Sequence, residues 1–125
     1  MSTNSHRLDG LRVLVAEDEY FIAEEIAELF EAAGANVVGP AQTVDDALAF
    51  VTTGKPLHGA VLDVSLHGQM VYPVADELAR LGVPFVFTTG YDQSTLPARF
   101  AAVARCEKPV DPNQILSALF GAEAG

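Results

Sequence analysis

Four short apolar runs in this sequence end on chemically active side chains. Val13-Leu14-Val15-Ala16 leads into Glu17-Asp18, Gly59-Ala60-Val61-Leu62 into Asp63, Phe85-Val86-Phe87 into Thr88-Thr89-Gly90, and Val103-Ala104-Arg105-Cys106-Glu107 into Lys108-Pro109. A carboxylate where a buried strand meets a glycine-closed loop sits on a rigid edge while still facing solvent, which is where α/β sheets place their chemistry. If the four runs are parallel strands, two further acids, a hydroxyl and an ammonium converge on Asp63. Carboxylates so gathered repel by about 4 kcal/mol per close pair at an effective dielectric near 20, so a cation-free site is strained or partly protonated. A divalent cation removes the conflict. All-oxygen ligands without clustered His or Cys select Mg2+ or Mn2+ over zinc. Lys108 and Thr89 then each hold an oxygen of an incoming phosphoryl group, and Asp63 is left as an ionised nucleophile. The chemistry is phosphoryl transfer to an aspartate.

The elements that must position these groups emerge from periodicity. Short β-branched or aromatic runs alternate with amphipathic helical patterns, five of each, the signature of βαβ units and a mainly parallel sheet. A helix from about Glu19 to Ala33 carries Ile22, Ile26, Leu29, Phe30 and Ala33 at three- and four-residue spacing and stops at Gly34. Asn36 to Pro40 reads as the second strand. Thr43 caps a helix bearing Ala47, Leu48 and Val51, stopped by Gly54. Pro73 is tolerated only in a first turn, so the third helix runs from about Tyr72 to Leu81. The fourth strand opens at Pro84. Gly90, Pro97 and Ser94-Thr95 make any helix over 91–100 short or frayed, the mobile element of the fold. Asp111 as cap, Pro112 and Gln114 start the last helix, with Ile115, Leu116, Leu119 and Phe120 as its buried stripe. Right-handed crossovers leave a doubly wound sheet whose crevice lies at the carboxyl ends of strands one and three.

A length of 125 residues suits one domain with its own core. The stretch before Leu11 reads as a disordered tail, 11–121 as the domain and 122–125 as a second tail. No apolar run approaches a membrane span, and Met1 to Gly10 lacks the apolar stretch of a signal peptide, so a soluble cytoplasmic protein is expected. Seven basic against seventeen acidic residues give a net charge of −10, which repels phosphate backbones and argues against nucleic-acid binding. The single cysteine, Cys106, excludes an internal disulfide and reads as a small buried hydrophobe.

Glu17-Asp18, Asp63, Thr89 and Lys108-Pro109, each at the end of its own strand, form a four-part pattern that resembles the receiver domain of two-component response regulators from about Leu11 to Phe120. The stretch Pro84-Phe85-Val86-Phe87-Thr88-Thr89-Gly90-Tyr91 is similar to the PFxFATGY motif of a mostly single-domain receiver subfamily called FAT GUY, with Thr88 standing where the motif has alanine. The resemblance implies a flavodoxin-like (βα)5 sandwich with strand order 2-1-3-4-5. It further implies that Asp63 takes a phosphoryl group from a histidine kinase or histidine phosphotransfer protein. Mg2+ would be held by Asp18, Asp63 and the Ser65 backbone carbonyl, with Glu17 acting through water. The switch would comprise Thr89, Gly90, Tyr91 and Arg105, the last standing three before the lysine where most receivers carry an aromatic residue, a role that Tyr91 takes over in the subfamily.

Plainer readings stand beside these. Asp18 alone is as readily a helix cap, Asp63 a turn former, Lys108 a solvated loop residue, and His67 a loop residue instead of a ligand. Tyr20 and Phe21 fall off the Ile22-Ile26-Phe30 stripe, which exposes them beside the acid pair as candidates for partner docking. Flavin binding on a flavodoxin-like fold is disfavoured, because Glu17-Asp18-Glu19 repels a flavin phosphate, and two other functions compete with the signalling module. One is a Mg2+-dependent phosphohydrolase with an aspartyl nucleophile, although Ser65 stands where the haloacid-dehalogenase pattern has its second aspartate. The other is a receiver-shaped interaction module that takes no phosphate.

Overall fold

The computed structural model describes residues 8–90 and 96–121. In chain order the elements are β1 (Arg12–Ala16), α1 (Tyr20–Ala32), β2 (Asn36–Ala41), α2 (Val44–Val51), β3 (Gly59–Asp63), a hairpin of β4 (Ser65–Leu66) and β5 (Gln69–Met70), α3 (Tyr72–Arg80), β6 (Phe85–Thr89), a 3-10 turn over Ala98–Phe100, β7 (Arg105–Glu107) and α4 (Pro112–Phe120). Five strands form one sheet in the order β2-β1-β3-β6-β7, and all four pairings are parallel. Renumbered without the hairpin, this is the 2-1-3-4-5 order of the flavodoxin-like fold.

Both faces of the sheet are covered, which is why its strands read as continuous apolar runs. Side chains alternate between the two layers. Val13, Val15, Val61 and Val86 pack with Ile26 and Phe30 of α1 and Ile115 of α4. Leu14, Leu62 and Phe87 pack with Ala47 of α2 and Leu78 of α3 on the other face. The helix starts have chemical causes. The Thr43 hydroxyl accepts the Asp46 N–H at 3.0 Å and the Asp111 carboxylate accepts the Asn113 N–H at 3.0 Å, each satisfying a first-turn donor that has no partner inside the helix. Pro73 lies in the first turn of α3, where a missing N–H leaves no hydrogen bond unmade.

The structure departs from the sequence reading in several places. β2 continues past Pro40 to Ala41 because it is an edge strand, where a missing donor is tolerated, and because its register shifts near its end. Gly39 makes that shift possible: its φ is +104°, and a Cβ there would lie 2.8 Å from the Val15 carbonyl oxygen and 2.7 Å from the Ala41 nitrogen. Leu8, inside the stretch expected to be a tail, is buried and its N–H bonds the Ala33 carbonyl at the end of α1. The loop expected after Asp63 is a two-residue hairpin, with His67 at φ 47° and Gly68 at φ 83°, the sign pattern of a type I′ turn. Of the 91–100 segment, 91–95 lies outside the described residues, and Pro97 leads into a single 3-10 turn. Phe100 anchors that turn, its ring 5.4 Å from Phe87, 5.6 Å from Tyr72 and 6.3 Å from Phe85. Among the described residues no helix is long and apolar enough to cross a membrane.

Candidate functional site

The carboxyl ends of β1, β3, β6 and β7 bring together the residues singled out by sequence. Asp63 ends β3 and Glu17 comes directly after β1, and both are buried, 3% and 1% exposed. A carboxylate oxygen from each of Glu17, Asp18 and Asp63 can be chosen so that all three lie within 4.8 Å of one another. The cis-linked Lys108-Pro109 comes directly after β7, and the Lys108 N–H donates to the Thr89 carbonyl at 2.8 Å. That bond pins the lysine to the end of β6 and turns its side chain over the acids. Its ammonium is 2.8 Å from Asp63 Oδ2, 3.5 Å from Glu17 Oε2 and 3.9 Å from Glu19 Oε2.

One ammonium does not neutralise this many carboxylates in a buried place. Burial, reinforced by the close Asp63 carboxylate, pushes the Glu17 carboxyl up to about 8, so the partial protonation expected of the cluster falls on Glu17. Burial alone would lower the Lys108 pKa, but the hydrogen bond to Asp63 and the charges of Asp63, Glu17 and Glu19 outweigh it and raise the value. Glu17 Oε2 accepts the Glu19 N–H at 3.1 Å, whereas Oε1 is buried with no hydrogen-bond partner among the described residues. An orphaned buried acceptor beside two more carboxylates fits a hard divalent cation.

The other candidates lie around this cluster. The Ser65 N–H donates to Asp63 Oδ1 at 3.3 Å, so the loop after β3 folds back on its own carboxylate. Thr89 is buried at the end of β6, in register with Glu107, and Gly90 comes next in the chain. Arg105 is exposed on β7, in register with Phe87. Tyr91 lies outside the described residues. Tyr20 and Phe21 open α1 and are exposed, 57% and 82%, their rings meeting edge to face at 5.4 Å.

One contact escaped the sequence reading. The His67 N–H donates to Asp18 Oδ2 at 2.8 Å, joining the tip of the hairpin to the loop after β1. Its available signal was Gly68 between two short runs, since glycine readily supplies a positive φ that such a turn needs. The Thr88 hydroxyl, at the position where the PFxFATGY motif has alanine, is buried without a hydrogen-bond partner among the described residues, one strand over from Asp63. A cavity of about 420 Å³ at the far end of α2 and α3 holds none of these groups.

No family model matches the chain. Among curated proteins, the transcriptional regulatory protein PdtaR of Mycobacterium tuberculosis (strain ATCC 25618 / H37Rv) is 30% identical over 112 residues, 86% of this chain and 54% of the relative. The chain thus spans about half the length of the curated relatives it matches. Among solved structures, a response regulator receiver protein from Sinorhizobium medicae WSM419 superposes with a TM-score of 0.73 over 87% of this chain and 90% of its own, at 20% identity. The BeF3-activated conformation of SdrG from Pseudomonas melonis Fr1 is 34% identical, with a TM-score of 0.70 over 95% of this chain and 98% of that one. The chain belongs to the response-regulator receiver family. As a receiver it keeps its acidic pocket and its lysine at the carboxyl edge of the sheet, at the ends of β1, β3 and β7.

Proposed function

We propose that this receiver accepts a phosphoryl group on Asp63 from a phosphohistidine of a histidine kinase or phosphotransfer protein, and passes the change to a partner protein or drains phosphate from the donor. The observation that carries the reading is the 2.8 Å contact between Lys108 Nζ and Asp63 Oδ2 beside the Glu17, Asp18 and Asp63 oxygens. In the transfer a P–N bond to imidazole breaks and a P–O bond to Asp63 forms. The electron pair of the P–N bond stays on the imidazole, and the ionised carboxylate has no proton to lose. The Lys108 ammonium, already against Asp63, holds the charge that builds on the phosphoryl oxygens.

Asp18, Asp63 and the Ser65 carbonyl would hold Mg2+, or Mn2+ in its place, with Glu17 acting through water. Bound there, the ion would screen phosphoryl charge from the acid cluster. Thr89, at the end of β6, would take a phosphoryl oxygen, and Gly90 and Tyr91 would move with it in the FAT GUY manner that the Pro84 to Tyr91 stretch suggests. The likeness to SdrG, described in a BeF3-activated conformation, supports this switching role. Tyr20 and Phe21 would dock the donor. Donor and receiver would share the cytoplasm, with no direct part for nucleic acid or membrane.

The test is labelling by acetyl phosphate or a phosphorylated kinase with Mg2+ present. Wild type takes up one acid-stable, base-labile phosphoryl group and Asp63→Asn takes up none. Equal labelling of the two proteins overturns the assignment.

A further inference from the structure

The hairpin between β3 and α3 has a buried base and an exposed tip. Val64, Leu66 and Val71 are each no more than 1% exposed. The Val64 N–H donates to the Thr88 carbonyl at 3.1 Å, and the Val71 N–H to the Val64 carbonyl at 2.8 Å, which fixes the base to β6 and closes it on itself. Only two residues connect the strands, and both hold positive φ. His67, at 47°, is the one non-glycine with positive φ among the described residues. In that conformation its main-chain N–H points away from the hairpin and donates to Asp18 Oδ2 at 2.8 Å, across 49 residues of sequence.

We infer that His67 is a positioning residue: the left-handed turn at the hairpin tip aims a backbone N–H that holds the Asp18 carboxylate in its cation-binding orientation. This deepens the proposed function, since it rests on Asp18 being a ligand. Asp18 lies in the bend between β1 and α1, and no other hydrogen bond to its carboxylate is seen among the described residues. With Oδ2 held by the turn, the carboxylate is fixed beside Asp63, where it can meet an ion. The donor is the main chain, so the imidazole itself is dispensable. Any residue that tolerates the left-handed region serves, and a β-branched one does not. Groups that orient a metal ligand in this way typically change metal affinity by about 10- to 100-fold when lost.

The experiment is Mg2+ binding by calorimetry to wild type, His67→Val and His67→Asn, alongside hydrogen exchange of the His67 amide in cation-free wild type and Asp18→Ala. His67→Val should bind Mg2+ at least about tenfold more weakly, His67→Asn should recover wild-type affinity, and the His67 amide should exchange faster in Asp18→Ala. Equal affinity in the three proteins, or unaltered exchange of the amide, overturns the inference while leaving phosphorylation of Asp63 standing. Absence of Mg2+ binding in wild type removes the cation part of the proposed function and this inference with it. If His67→Val does not fold, the exchange comparison decides alone.

Discussion

Mg2+ binding to this receiver should be strongly pH-dependent, and the dependence should belong to Glu17. In the cation-free protein its carboxyl is raised from 4.5 to about 8, first by burial and then by Asp63. Below that value the group is mostly protonated and supplies no charge to the site, so its ionisation and the binding of a cation favour one another. With a pKa of about 8, the ionised fraction is about 1% at pH 6, about 10% at pH 7 and about half at pH 8. Apparent affinity should therefore rise at least about tenfold from pH 6 to pH 8, with proton release accompanying ion binding at pH 7. Calorimetry in two buffers of different ionisation enthalpy measures both quantities. Glu17→Gln has no proton to release and should lose most of the slope, as well as some affinity. The same carboxyl makes a second signature without metal. Between pH 4.5 and about 8 the native state keeps a proton that the unfolded chain has already given up, so cation-free stability falls as pH rises through that window. Wild-type affinity that is flat between pH 6 and pH 8, or proton release that persists in Glu17→Gln, would refute the reasoning.

The packing sets further outcomes. Thr88→Val removes a buried hydroxyl without a partner among the described residues, so urea unfolding should show a change near zero or a gain of up to about 1 kcal/mol; a loss above about 1 kcal/mol means the hydroxyl is bonded. Phe100→Ala empties the contact with Tyr72, Phe85 and Phe87 and should cost about 3–5 kcal/mol in the same assay, and a cost below about 1 kcal/mol would remove the ring as an anchor. By contrast Arg99→Ala, which breaks an exposed ion pair with Asp76 at 2.8 Å, should leave Tm almost unchanged; a large drop would shift the anchoring role to the pair. Phe21→Ala should slow transfer from the phosphorylated kinase while leaving circular dichroism and acetyl-phosphate labelling intact, and an unaltered kinase rate removes Phe21 from docking.

The parts of the fold that were legible in sequence are those set by local chemistry. Strand ends could be read because β-branched runs stop at Glu17, Asp63 and Thr89, and helix starts because Thr43 and Asp111 satisfy first-turn donors. The gathering of Glu17, Asp18, Asp63 and Lys108 was implied once four strands were taken as parallel, since topology places their carboxyl ends on one edge. Features that were not legible depended on pairs far apart in the chain. The His67 to Asp18 bond spans 49 residues, and the burial of Leu8 depends on the end of α1. Neither leaves a periodic trace. The hairpin was hidden for a different reason: its strands are two residues each, too short to alternate visibly, and its turn begins with histidine where asparagine or glycine is the familiar sign. The protonation of Glu17 was foreseen only as a property of the cluster, because which acid gives way depends on burial.

The aromatic group on Phe100 lies on the α2 and α3 side of the sheet, while Tyr20 and Phe21 open α1 on the other. Thr89 continues the strand face that carries Phe85 and Phe87. If Tyr20 and Phe21 dock the donor and Thr89 drives the switch, as proposed, loading and reading would fall on opposite walls of one thin partition: a donor resting on the first wall would leave the second uncovered, and a listener seated there need not wait for the donor to depart.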